Sequence, residues 1–315
     1  MRILITGGAG YLGGRISEYF LNRGDEVLIS TRDLFQKKYM PGLLVRKIQW
    51  SDPDSLIDIC TGVDVIIHAS GLNAQDSLKD PVKALEVNGL STARLLESAV
   101  KQKVKLFIYF STAHVYASPL VGEISETSCP SNLHPYATSK LAGENIVLQA
   151  GISENIKTAV LRLSNAFGRP MSKEVDCWML VVNDLCKQAV ETKKMLIKGT
   201  GLEQRNFITI TDVTRFIEFL IKSDEDLWKM RLFNLGGEKS YSILEVAQII
   251  QNRCKILFGV DVSIECASIE FKKSKHLDFK LVNLKNSKFE LKSEITNEID
   301  ELLFFCKSVF STKSF

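Results

Sequence analysis

The chain opens on Met1-Arg-Ile-Leu-Ile-Thr-Gly-Gly-Ala-Gly-Tyr-Leu-Gly-Gly14, and this stretch restricts the rest of the molecule more than any other. Residues 2–6 are a short apolar run suited to a buried strand. Gly7, Gly10 and Gly13 then make a tight turn, after which Leu12, Ile16, Tyr19 and Phe20 recur at helical spacing over Tyr11 to Arg23. Strand, glycine turn, helix is the context in which such a triplet binds a dinucleotide. Gly7 permits the sharp turn, Gly10 lets backbone approach a pyrophosphate, and Gly13 lets helix and strand pack closely. The phosphates would rest on free N–H groups from Tyr11 and Leu12 onward, where the helix dipole favours anions. The plainer alternative is an ordinary glycine-rich turn, and later motifs weigh against it.

Strand and helix patterns alternate from there to about residue 165, which predicts a doubly wound parallel sheet. Glu26–Thr31 reads as the second strand and Leu44–Gln49 as the third. Val63–His68 is a nearly all-apolar fourth strand, as a sheet covered on both faces requires. Pro81–Val100 reads as one long helix with Asn88 inside it, a residue that competes with helical hydrogen bonds and therefore needs a reason. Leu106–Phe110 and Lys157–Leu163 read as the fifth and sixth strands. Beyond 165 the pattern breaks into helices at Trp178–Thr192, Asp212–Lys222, Ser242–Leu257 and Glu294–Phe310, with strands at Arg231–Leu235 and Val260–Glu265. The expected division is a dinucleotide-binding domain over 1–165 and a smaller lobe over 166–315, interleaved with the last strands of the sheet. Lys272–Lys292, rich in Lys and Asn, reads as solvated surface.

The strand ends carry the cofactor expectations. Thr31-Arg32 closes the second strand where an acid would meet a free ribose 2′-hydroxyl, and Arg32 offers a charge to a 2′-phosphate; this favours NADP, with NAD open. A solvated Arg32 is the alternative. Asp52 is an adenine contact or a helix cap. The small residues of His68-Ala69-Ser70 suit backbone lying against a ligand, with His68 read as structural before catalytic. Ser111, Asn88 and Lys140 complete the expected cofactor cradle.

Tyr136-Ala-Thr-Ser-Lys140 sets a phenol and an ammonium four residues apart on one helical face. A nearby cation stabilises a phenolate and lowers a pKa that is ordinarily ~10. Thr112, at a strand end, can hydrogen-bond the same substrate oxygen. The three make a proton-relay site for alcohol–ketone interconversion beside a hydride carrier.

These motifs together resemble the extended short-chain dehydrogenase/reductases, the NAD(P)-dependent sugar epimerase/dehydratase type, best over residues 1–170. The resemblance implies a Rossmann fold, Asp52 as the adenine contact, and Asn88 as a helix kink that supports the site. It implies Thr112, Tyr136 and Lys140 as the catalytic triad. Leu161-Arg-Leu-Ser-Asn-Ala-Phe-Gly168 resembles the family's motif before the substrate lobe, making Asn165 a substrate contact. Arg205-Asn-Phe-Ile-Thr-Ile-Thr-Asp212 resembles the segment whose arginine pairs with a sugar-nucleotide pyrophosphate. Family members commonly dimerise through the Asn88 and Tyr136 helices. Dehydratases of the family carry an Asp-Glu pair after the catalytic Thr, and Ala113-His114 stands here instead, which argues against dehydration. On the substrate side, Asn73 follows the fourth strand, and Trp178 either stacks on a sugar or base or belongs to the core.

The expected function is NADPH-dependent reduction of a 4-keto deoxysugar nucleotide. The alternatives are a C4 epimerase with tightly held NAD, a small-ketone reductase, and a non-enzymatic NAD(P)-binding regulator. A net charge of +3 over 315 residues argues against a nucleic-acid partner. No apolar stretch approaches ~18 residues, which argues against a membrane span. Seven cysteines without a Cys-x-x-Cys pair fit reduced cytoplasmic thiols and no metal site.

Overall fold

The computed structural model describes residues 1–31, 40–153, 155–267 and 275–311. Seven strands form one parallel sheet: β1 (Arg2–Thr6), β2 (Glu26–Thr31), β3 (Leu44–Lys47), β4 (Val65–His68), β5 (Leu106–Thr112), β6 (Lys157–Leu163) and β7 (Leu232–Leu235). Their order is β7-β6-β5-β4-β1-β2-β3. Ile3 pairs with Val27 on one side and with Val65 on the other, so the strand order reverses at β1. A crevice opens at such a reversal, beyond the carboxyl ends of the strands.

Alternation along β1 serves both faces. Ile3 and Ile5 join Ile16, Phe20, Phe216 and Phe233 in one core, while Leu4 joins Leu95, Leu96, Phe107 and Val147 in the other. The long helices are α1 (Tyr11–Asn22), α2 (Ser91–Lys101), α3 (Pro135–Ile152), α4 (Val181–Thr192), α5 (Ile210–Lys222), α6 (Ile243–Phe258) and α7 (Ile295–Phe310). A third core, with Phe167, Cys186, Ile250 and Leu302, lies among α4, α6 and α7. A three-stranded sheet of Ser240–Ser242, Gln204–Thr209 and Asn165–Phe167 sits beside the main one. The edge strand β7 comes from far along the chain yet pairs with β6.

Several elements differ from the sequence reading. The expected helix over Pro81–Val100 is three pieces: Pro81–Ala84, a π-helical turn at Leu85–Leu90, and α2. β5 runs on to Thr112, β3 stops at Lys47, and α4 begins at Val181, three residues after Trp178. The described part of Lys272–Lys292 is not solvated surface. It holds the strand Leu277–Phe279 and the helix Val282–Asn286, and Leu277, Phe279, Leu281 and Leu284 are buried. Its lysines masked an alternation that turns the apolar side chains inward. All seven cysteines are unpaired. Among the described residues no cluster could hold a metal ion, and no helix is long and apolar enough to cross a membrane.

Candidate active site

The glycine turn sits where β1 meets the crevice. Gly7 has φ +68°, a conformation that L side chains rarely adopt. A Cβ on Gly13 would lie 2.2 Å from the Gly7 carbonyl oxygen, so only glycine lets α1 start this close to the turn. Gly10 caps α1 with no side-chain bond, which leaves the first-turn N–H groups facing the cleft. That is a cradle for a pyrophosphate. Tyr11 and Leu12 line it, and the Tyr11 hydroxyl donates to the Gly168 carbonyl at 2.8 Å.

The cleft encloses about 1050 Å³. Its walls include Gly7, Gly10, Gly13, Thr31, Ala69, Ser70, Asn73, Thr112, Tyr136, Asn165 and Arg205, all candidates from the sequence. Arg32 lies outside the described residues.

β5 and α3 bring the reacting groups together. Pro135 at the first turn of α3 and His134 at its cap fix the helix start; the His134 Nδ1 accepts from the Tyr136 N–H at 3.1 Å. The half-buried Tyr136 stands beside the Thr112 hydroxyl, both on the cleft wall. Burial pushes this phenol above its ordinary value, and the neighbouring Thr112 hydroxyl pulls it partly back. The expected lowering by Lys140 is therefore not what the structure shows. Lys140 points elsewhere: its Nζ donates to the Phe110 carbonyl at 3.0 Å and stands 5.0 Å from the Tyr109 ring centre. Burial pushes Lys140 down to about 8. It lies just behind the cleft wall, since a Cβ on Gly71 would be 2.9 Å from Nζ.

Four residues expected at the cofactor are bonded into the framework around the cleft. His68 is fully buried, with Nδ1 2.6 Å from the Thr6 hydroxyl and Nε2 3.0 Å from that of Thr92. Burial pushes it down to about 3, so it is neutral at ordinary pH. The Asn88 carbonyl accepts from the Leu72 N–H at 2.8 Å and its amide donates to Ser139 at 2.9 Å, tying the π-helical turn to the wall and to α3. Ser111 faces away from the cleft and donates to Glu144 at 2.8 Å. Asp52 caps the helix Pro53–Cys60, its Oδ1 accepting from the Asp54 N–H at 3.1 Å.

On the substrate side, Asn165 donates to the Asn206 carbonyl at 2.9 Å, and Arg205 and His114 both line the cleft. Asn73 lines the cleft, but its side-chain oxygen caps the helix Ala74–Lys79. Trp178 is not a wall residue. Its ring stacks on Phe305 at 6.3 Å and meets Phe310 edge-on at 4.8 Å, so it belongs to the packing of α7.

Sequence reasoning missed a buried network. Arg162 on β6 forms a paired bond with Glu144 on α3 and donates to the Tyr116 hydroxyl at 2.8 Å, which donates to Asn234 on β7 at 2.7 Å. An arginine inside the apolar run Lys157–Leu163 was the available signal, with Glu144 one turn beyond Lys140.

The family model for the NAD dependent epimerase/dehydratase family matches residues 3–236. The chain is similar to a dTDP-D-glucose 4,6-dehydratase of Dictyostelium discoideum, 26% identical over 275 residues, covering 80% of this chain but only 62% of that protein. It is also similar to a putative UDP-glucose 4-epimerase of Methanocaldococcus jannaschii, 26% identical over 256 residues, covering 79% of this chain and 81% of that protein. In fold it is similar to the solved structure of RMD from Pseudomonas aeruginosa complexed with NADPH, with a TM-score of 0.75 at 20% identity over 98% of this chain and 99% of that one. By this match over most of its length, on the glycine turn and parallel sheet just described, the chain belongs to the NAD dependent epimerase/dehydratase family.

Proposed function

We propose that this chain is an oxidoreductase of nucleotide-sugar metabolism that reduces a 4-keto deoxysugar nucleotide with NADPH. One observation carries the reading: the Tyr136 phenol, beside Thr112, stands in the same cleft as an open helix N-terminus framed by Gly7, Gly10 and Gly13. A phenol that burial holds protonated is a proton donor, which is the role reduction of a ketone requires. Tyr136 donates to the carbonyl oxygen and Thr112 orients it. Lys140, whose ammonium lies beside Gly71 of the wall, is the group we assign to the ribose hydroxyls. Arg205 meets the diphosphate by its bidentate fork, and Asn165 contacts the sugar. When bound, the reduced nicotinamide supplies the hydride. The preference for NADP rests on Thr31-Arg32, and NAD is the alternative.

The second reading is a C4 epimerase with retained NAD, favoured by the similarity to the Methanocaldococcus protein. Incubation with NADPH and a panel of 4-keto nucleotide sugars separates the two. The first reading expects stoichiometric loss of NADPH absorbance. Bound dinucleotide in the purified protein, with sugar interconversion and no added cofactor, would replace it with the second. We further propose a homodimer through the helices flanking Asn88 and Tyr136, because Val82, Leu85 and Ile146 are exposed there. Equilibrium sedimentation at twice the monomer mass is the expected result.

A further inference from the structure

We propose that His134 is a positioning residue for Tyr136 whose hold exists only while its imidazole is neutral, an inference that rests on the reading of Tyr136 and Thr112 as the reacting pair. Four hydrogen bonds run from one of these residues to the other. The Thr112 hydroxyl oxygen accepts from the His114 N–H at 3.2 Å, and the His114 carbonyl accepts from the Asn132 side-chain amide at 2.7 Å. The Asn132 side-chain oxygen accepts from the His134 N–H at 3.0 Å, and the His134 Nδ1 accepts from the Tyr136 N–H at 3.1 Å. The four bonds form a strap between the end of β5 and the first turn of α3, which fixes the backbone of Tyr136 relative to Thr112.

Three of the four bonds use backbone groups, a hydroxyl and a primary amide, none of which titrates near neutral pH. The fourth depends on an imidazole, a group that ordinarily titrates at ~6.5. Nδ1 can accept only through a lone pair, so the neutral ring carries its proton on Nε2. A second proton makes both ring nitrogens donors and removes the acceptor. It also places a positive charge at the N-terminus of α3, where the helix dipole opposes it. Serine, threonine and asparagine, the commoner uncharged caps, have no such transition. His134 is half-buried, so solvent protons reach it. Two other ionisable side chains bear on the site: Tyr136 on the same helix, and His114 from the turn Ala113–Val115, which lies within electrostatic reach of His134. Burial, and then Arg205 from the strand Gln204–Thr209, hold the His114 ring below its ordinary value. His114 enters the strap through its backbone alone, so its ring can be removed with the four bonds left in place.

The chain has four histidines and seven tyrosines, few enough for nitrogen-15 labelling of each type to resolve single residues by nuclear magnetic resonance. Tyr136→Phe assigns the Tyr136 amide, and His134→Asn assigns the His134 ring. The ring is expected as the Nε2–H tautomer at about pH 8, and the Tyr136 amide to shift with the ring's titration as the pH falls to about 5.5. His134→Asn, which caps through an amide, should lose that shift, and His114→Ala should keep it. Turnover of NADPH with a 4-keto nucleotide sugar gives the second readout. Over the same interval wild-type kcat should fall about fivefold further than that of His134→Asn, the loss that one ordinary helix cap implies, with KM within about twofold. His134→Ala, which has no cap, should show the lowered kcat at both ends. An Nδ1–H tautomer, a Tyr136 amide that ignores pH, or an acid loss in His134→Asn equal to wild type overturns the strap and leaves Tyr136 as the proton donor. An amide response without NADPH consumption on any sugar of the panel overturns the reduction reading and upholds the strap.

Discussion

Tyr136 is where a single atom matters most. Tyr136→Phe removes the proton donor and keeps the ring, so turnover should fall by about 10²- to 10⁴-fold with the fold intact, read as NADPH oxidation beside a circular-dichroism control. Lys140 gives a pH signature of its own. Its folded value of about 8 lies below the ordinary 10.5, so between those two pH values the unfolded chain binds more protons than the folded one. Stability from this group therefore rises with pH across that window. The stability of wild type relative to Lys140→Met should increase from pH 8 toward 10.5, measured by urea unfolding at each pH; a flat difference would contradict the burial of the ammonium. At this scale the sequence revealed residue types more readily than directions. Thr112 and Ser111 were both expected at the site, but consecutive strand residues point to opposite faces. Thr112 reaches the cleft and Ser111 reaches Glu144.

At the scale of elements, α3 is held to the sheet by charge as well as by apolar packing. Glu144 and Arg162 are both buried, so truncating one partner strands the other. Glu144→Leu should cost about 3–5 kcal/mol, and Glu144→Leu with Arg162→Met should recover most of that loss, as read from denaturant midpoints. The turn between β1 and α1 is equally unforgiving. Gly13→Ala drives a methyl group into the Gly7 carbonyl, a backbone atom that cannot swing aside. Dinucleotide affinity should fall at least 100-fold, measured by calorimetry. The turn was legible because its glycines lie close together in the chain, at 7, 10 and 13, and their spacing states their purpose. The Glu144–Arg162–Tyr116–Asn234 chain was not, because its members lie 18 to 118 residues apart and meet only through sheet order.

Across the whole molecule, the main core does not stop at residue 165. Phe216, Ile217, Leu220 and Phe233 pack with Ile3, Ile5 and Phe110, and β7 closes the sheet beside β6. A fragment of residues 1–165 should therefore remain unfolded by circular dichroism. The full chain should unfold in one transition whether followed by far-ultraviolet signal or by tryptophan emission. The parallel sheet could be read from alternating apolar runs, since covered strands leave that imprint. The later strand Leu277–Phe279 could not, because three residues are too few for a period to register among lysines.

The π-helical turn at Leu85–Leu90 carries one residue more than an α-helical path needs. Each residue advances a helix by about 100°. Deleting Val87 would restore uninterrupted winding and, in the same stroke, rotate Asn88 out of line with Leu72 and Ser139 relative to everything downstream. The surplus residue works as a phase setting: a shortened chain would keep its helix and lose the alignment between that helix and the catalytic wall.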